Sequence, residues 1–198
     1  MANRFRDSAR QLMRDAVLDI AAEEVIAHGW DGLQVRAVAN RAGVSRQTVY
    51  NAFGDKHGVA EALIERLLDR FLEGIDAAIA GESALREQWE ATVRFALETA
   101  ATEPLLAAVL TGTSSDEFLP LLTTDGGPVI TRARDHVCAT LGGYHPDIDP
   151  RALTATSETV TRLTISHIVL PLHTPQKVAA HIADLAATVA PAPAAAGV

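Results

Sequence analysis

Arg46, Gln47, Thr48, Tyr50, Asn51 and Lys56 stand together in the stretch AGVSRQTVYNAFGDK, residues 42–56. Each can bond nucleic acid. An arginine presents paired N–H groups that match guanine O6 and N7, a glutamine amide matches adenine N6 and N7, and threonine or tyrosine hydroxyls bond phosphate or base. Lys56 can neutralise a phosphate, and at the first turn of a helix it does so beside free backbone N–H groups. Ser45, just ahead of these residues, is a type that caps a helix by accepting a backbone N–H bond. Val35 and Arg36, at the start of the preceding segment, belong to the same candidate interface. The chemistry this group offers is recognition of double-stranded DNA rather than bond making.

Such residues work only if a scaffold aims them. A short helix is expected from about Val35 to Ala42, with Val35, Val38, Ala39 and Ala42 at inward spacings. Gly43 can adopt positive φ, Ser45 caps the next helix, and that helix runs from Arg46 to about Ala52. A helix of two turns is marginal alone, so Val49 and Phe53 must hold it against its neighbours. Two short helices joined by Gly43-Val44-Ser45 fit a helix-turn-helix, whose second helix enters the DNA major groove. A helix corner with solvated polar residues, part of an interaction bundle that binds no specific DNA, has the same spacing.

Helical periodicity runs through the remaining chain, and the fold class is all-α: a small N-terminal helix-turn-helix domain and a larger helical domain. The first helix is expected to start at Asp7 or Ser8 and end near His28, stopped by Gly29. Asp55 is placed to cap a long helix from about Lys56 to Ile79. Further helices are expected at about Ser83–Thr102, Pro104–Leu110, Pro128–Leu141, Asp149–Leu172 and Pro175–Val189, with prolines in several first turns. Thr111 to Gly127 reads as a mobile loop. The domains are then 1–55 for the helix-turn-helix, 56–190 for the larger helical domain, and a disordered tail at 191–198.

Charge supports the division. The chain of 198 residues carries a net charge of -8, yet residues 1–57 hold 8 basic and 7 acidic side chains while residues 58–198 hold 9 and 18. The local field, not the total, governs contact with DNA. Arg4, Arg6, Arg10 and Arg14 add cations along the N-terminal arm. No apolar run approaches a membrane span, and MANRFRDSARQ lacks the apolar core of a signal peptide, so a cytoplasmic protein with no membrane partner is expected. The lone cysteine, Cys138, excludes an intrachain disulfide.

Residues 13–64, above all VRAVANRAGVSRQTVYNAFGDKHGVAEALI, resemble the DNA-binding domain of the TetR family of bacterial transcriptional regulators, whose motif reads approximately IAxxAGVSxGTLYxHFxxKxxL. Val38, Ala39, Ala42, Gly43, Val44, Ser45, Thr48, Tyr50, Phe53 and Lys56 match, and Ala60 to Leu63 match one residue late. Gln47 stands where the motif has a small residue, and Ala52 where it has an aromatic or histidine. The resemblance covers about a quarter of the chain. It implies a ligand-responsive homodimer on a near-palindromic operator, with the last two long helices pairing with those of a second subunit. Val178, Ile182, Leu185 and Val189 form a stripe suited to that role, and Ala179, Ala183 and Ala186 permit close helix approach. Burial of this stripe inside one subunit is the competing reading.

For the larger domain the expected pocket residues are Trp89, Val93, Leu106, Val109, Leu110, Phe118, Leu122, Val137, Leu163 and His167, mostly apolar with few polar groups, which suits a small apolar or fatty effector. No cofactor is expected. His167 and His173 do not have the i,i+4 spacing that presents two imidazoles to one metal, and no catalytic motif for hydrolysis or phosphate transfer occurs. The expected function is therefore a repressor released by its ligand, with an activator of the same fold or a non-binding helical bundle as alternatives.

Overall fold

A computed structural model describes residues 2–105 and 127–189, with side chains from residue 6 onward. Most of the expected helix at 104–110, the loop at 111–126 and the tail at 191–198 lie outside the described residues. So do five of the pocket candidates: Leu106, Val109, Leu110, Phe118 and Leu122. Among the described residues the regular structure is entirely α-helical. The chain separates into two compact units, one up to Leu67 and one from Leu68, apart from Pro104 and Leu105, which cluster with the first.

The first unit holds α1 (Ala2–Gly32), α2 (Val35–Arg41), α3 (Arg46–Phe53) and the start of α4 (Lys56–Ala80). Helix α1 is already formed at Ala2, so Asp7 and Ser8 lie inside it rather than at its cap. Its regular path breaks at Gly29, where φ is 70°, and one more turn follows. Val17, Ala21 and Val25 recur every fourth residue on the buried face of α1. Trp30, Leu33, Val38, Ala39, Val49, Phe53, Val59, Ala60 and Leu63 are also buried. Burying each large apolar side chain contributes about 1.5–3 kcal/mol, enough for Val49 and Phe53 to hold a helix as short as α3.

The chain reverses between α2 and α3 at Gly43, where φ is +67°. Val44 N–H donates to the Ala39 carbonyl at 3.0 Å and Gly43 N–H to the Asn40 carbonyl at 3.2 Å, closing the end of α2. Asp55 caps α4 by accepting the Gly58 N–H at 2.9 Å. A Cβ on Gly58 would lie 1.8 Å from the Phe53 carbonyl oxygen, so the start of α4 can press on the end of α3 only without a side chain there. Arg41 of α2 pairs with Glu24 at 2.7 Å and with Glu23 on α1. These carboxylates hold the Arg41 guanidinium pKa above its usual range, Glu24 first.

The second unit holds the rest of α4, α5 (Leu85–Thr102), α6 (Gly127–Tyr144), α7 (Pro150–Val169) and α8 (Pro175–Val189). Asp149 caps α7 by accepting the Arg151 N–H at 3.0 Å, with Pro150 in the first turn. Helix α7 stops at Val169 rather than Leu172 because Leu170 precedes Pro171, and a residue before proline avoids the helical region. The core joins Leu72, Ile75 and Ile79 of α4 with Trp89 and Val93 of α5, Val137 and Leu141 of α6, and Leu153 and Val160 of α7. Helix α8 packs mainly on α5, and α6 mainly on α7.

That packing divides the stripe on α8. Val178, Ala179, Ile182, Ala183 and Ala186 are buried within the chain, whereas Leu185 and Val189 are each 60% exposed. The small residues therefore bring α8 close to α5 of the same chain. Arg86 reaches across to Asp184 at 2.8 Å and Gln176 to Glu98 at 2.9 Å, fixing that contact at its rim.

Candidate nucleic-acid interface

The turn after α2 delivers Ser45 to the cap position just before α3, where its Oγ accepts the Thr48 N–H at 3.0 Å and shares a 2.8 Å bond with Thr48 Oγ1. Capping fixes the direction in which α3 leaves the turn, and Val49 and Phe53 fix its roll by turning inward. The opposite face is polar: Arg46, Gln47 and Asn51 are exposed, and Thr48 and Tyr50 are half-buried beside them. Arg46 donates to the Tyr50 hydroxyl through Nε at 2.9 Å and Nη2 at 2.6 Å, and its guanidinium carbon lies 5.0 Å from the ring centre. Gln47 Nε2 donates to Asn51 Oδ1 at 2.9 Å. The ammonium of Lys56 sits 4.6 Å from the ring centre of the buried Trp30, a cation–π contact that places the charge at the start of α4. Arg36 is exposed on α2.

Two residues of this neighbourhood differ from the sequence reading. The side chain of Val35 is only 9% exposed and packs inward with Val38 and Ala39, so a contact with DNA at this position falls to its main chain at the start of α2. Arg14, counted among the cations of the arm, turns its guanidinium inward: Nη1 donates to the Ala52 carbonyl, and the guanidinium carbon lies 4.3 Å from the Phe53 ring centre. It thus ties α1 to the last turn of α3. Sequence periodicity gives no sign of this, since the partner lies 38 residues away.

This capped, polar-faced pair of helices coincides with a match to the model of bacterial regulatory proteins of the tetR family over residues 17–63. A second model, the C-terminal domain of the bacterial tetracycline repressor, matches residues 85–188, more than half of the chain. The chain belongs to the TetR family. It is a helix-turn-helix transcriptional regulator, not an enzyme, and the family binds DNA operators. The HTH-type transcriptional regulator AlkX of Mycobacterium tuberculosis is 31% identical over 91% of this chain and 86% of its own. The crystal structure of the TetR family repressor AlkX from a Dietzia species, implicated in biodegradation of n-alkanes, superposes with a TM-score of 0.74 at 26% identity, covering 87% of this chain and 94% of that one. The activator FasR of Mycolicibacterium smegmatis is 27% identical over 63% of this chain and 65% of its own.

In the second unit of this TetR-family chain, the expected pocket residues Trp89, Val93 and Val137 are buried in the core, Leu163 packs at its edge, and His167 is half-buried. The polar groups there are less visible in the sequence. Gln88 is fully buried, with Nε2 donating to the Glu82 carbonyl at 3.1 Å and Oε1 2.7 Å from His145 Nε2. Asp76 on α4 binds His136 and Thr140 of α6, both at 2.8 Å, and Asp69 one register earlier pairs with Arg132. Trp89 Nε1, Thr156 Oγ1 and Ser157 Oγ are buried and find no hydrogen-bond partner among the described residues. Thr154, Thr159 and Thr164 on the same helix instead donate to carbonyls four residues back. Among the described residues no cluster of three or more His, Cys, Asp or Glu side chains is arranged to hold a metal ion, and no helix is long and apolar enough to cross a membrane.

Proposed function

We propose that the protein is a homodimeric repressor that leaves a near-palindromic operator when a small apolar or fatty molecule binds its second unit. The polar face of α3 carries this reading: Arg46, Gln47 and Asn51 are exposed on a helix whose start is capped and whose roll is fixed by Val49 and Phe53. With Arg36, Ser45, Thr48, Tyr50 and Lys56 they form the operator-reading surface, in a domain of about residues 1–55. A two-fold dimer sets two such helices about 34 Å apart, or a multiple of that, and so reads two half-sites. Helices α7 and α8 supply the dimer face through the side chains left exposed, Val169, Leu185 and Val189 among them. A regulator that meets the chromosome in this way works in the cytoplasm.

The effector class is supported by the apolar core around Trp89 and Val93 and by the likeness to the Dietzia AlkX repressor, itself implicated in biodegradation of n-alkanes. The unpartnered groups of Trp89, Thr156 and Ser157 would bond the polar end of such a molecule, for a buried polar group without a partner costs about 1–3 kcal/mol. No cofactor is needed. Effector binding acts on DNA by favouring a conformer in which α4 is tilted, and it shifts the equilibrium only by its differential affinity for the two conformers. The side chains that link α4 to α6, Asp69 with Arg132 and Asp76 with His136 and Thr140, are where that pull would be transmitted.

The test is binding of the purified protein to a fluorescent duplex from the region flanking its own gene, against a scrambled duplex, in a salt series. Tight, selective, salt-sensitive binding is expected, with release on adding dodecane or dodecanoic acid. Binding no tighter than to the scrambled duplex means that the operator lies elsewhere or that the corner at residues 42–56 is only a corner. A complex that survives saturation by both additives removes the release mechanism. Transcription from the same region with and without the protein separates a repressor from an activator such as FasR.

A further inference from the structure

Arg46 and Gln47, two exposed side chains of α3, each have a partner one turn further along the helix. Arg46 meets Tyr50, and Gln47 Nε2 donates to Asn51 Oδ1 at 2.9 Å. A primary amide carries one acceptor oxygen and two N–H groups. The bond to Asn51 uses one N–H and leaves Oε1 and the second N–H as a free donor–acceptor edge, the pattern that complements adenine N6 and N7. It also sets the direction of that edge. With the Asn51 oxygen turned towards Gln47, the nitrogen of Gln47 stands towards it, since a Gln47 amide flipped alone would oppose two acceptors; the reverse pairing needs both amides to turn over together. The internal bond therefore removes rotamer freedom that a lone surface glutamine would lose only on binding.

We propose that Asn51 is a positioning residue that fixes the Gln47 amide as an adenine reader, so that recognition of one A·T pair in each half-site belongs to the two residues jointly. This rests on the reading of α3 as the operator-reading helix. It narrows the part of Asn51 in the operator-reading surface: Asn51 serves that surface by holding Gln47 and makes no base contact of its own.

The full-length protein is offered a randomised duplex library, and each base of the enriched site is then measured in single duplexes. Gln47→Ala and Asn51→Ala are expected to lose preference for adenine at the same position, each by about tenfold. Replacing that adenine by 7-deazaadenine costs the unaltered protein a similar factor and costs Gln47→Ala nothing. Asn51→Asp keeps an acceptor and restores the preference; a preference is a ratio of two affinities, so the repulsion between the added charge and phosphate cancels. Both positions are exposed, and a thermal melt of each variant within a degree or two of the unaltered protein excludes unfolding as the cause. An Asn51→Ala protein that keeps its adenine preference overturns the proposal. So does loss of preference at a base pair other than the one Gln47 reads. Enrichment of no sequence at all overturns the DNA-reading function together with it, a result distinct from an enriched site to which Asn51 is indifferent.

Discussion

Arg14→Gln separates a cation that acts on DNA from one that acts on the helix reading it. The Arg14 guanidinium is half-buried, donates to the Ala52 carbonyl and stacks on Phe53. Ala52 lies in the last turn of α3, where carbonyls lack partners within the helix and the dipole is negative, so a cation there is doubly favourable. A hydrogen bond from a charged donor contributes about 1.5–3 kcal/mol and a partly exposed cation–π contact about 0.5–1 kcal/mol. Solvent screening brings the sum to about 2 kcal/mol. Helix α3 has 8 residues, so the loss is felt as local opening rather than spread over a long element. Hydrogen exchange of the Val49 to Phe53 amides is therefore expected to accelerate by about 30-fold, since each 1.4 kcal/mol is a factor of ten. Operator affinity falls by up to the same factor, because the opened helix does not bind. The salt slope decides between the two roles. A neutralised phosphate contributes about 0.9 to the dependence of log K on log salt, so a positioning arginine leaves the slope unchanged. A slope reduced by about 0.9 per subunit, with exchange unaltered, would refute the reasoning and return Arg14 to the DNA.

Leu185→Glu, at a 60% exposed site, is expected to leave the fold intact and shift the proposed dimer to monomer in sedimentation, whereas Ile182→Glu, 3% exposed, should unfold the second unit. Equal behaviour of the two would place the interface elsewhere. Thr156→Val removes a buried hydroxyl without a partner among the described residues. It should raise the melting temperature of the ligand-free protein, by about 1 kcal/mol of stability, and blunt any response to dodecanoic acid; a lower melting temperature would show that the hydroxyl is satisfied. The Glu158 carboxyl is held below its usual pKa by hydrogen bonds from Arg162 and then Arg134. Because the folded pKa is depressed, its contribution is present above the unfolded value and lost as pH falls through the folded one. The stability gap between the unaltered protein and Glu158→Gln should thus be constant at neutral pH and close on acidification below the ordinary carboxylate range, as read by urea titration. A gap that persists in acid would point to packing instead.

Local chemistry in the sequence is sufficient for the helix-turn-helix. Gly43 supplies positive φ, Ser45, Asp55 and Asp149 cap the helices that follow them, and the inward spacing of Val49 and Phe53 sets the roll of α3; each depends on neighbours within a few residues. The same locality makes the net charge separable into a near-neutral first part and an acidic remainder. Tertiary structure decides what depends on distant partners. From the sequence Val35 fits both an inward position and a DNA contact, and only the packing of the first unit buries it. Periodicity shows that α8 has an apolar stripe but not what covers it; α5 of the same chain takes Val178, Ile182 and the alanines and leaves Leu185 and Val189 outside. Arg14 and Lys56 look alike as surface cations in the sequence, since the Phe53 and Trp30 rings that hold them lie far away along the chain. A cation's role is set by what surrounds it, and in a helical protein those surroundings are assembled by packing between helices.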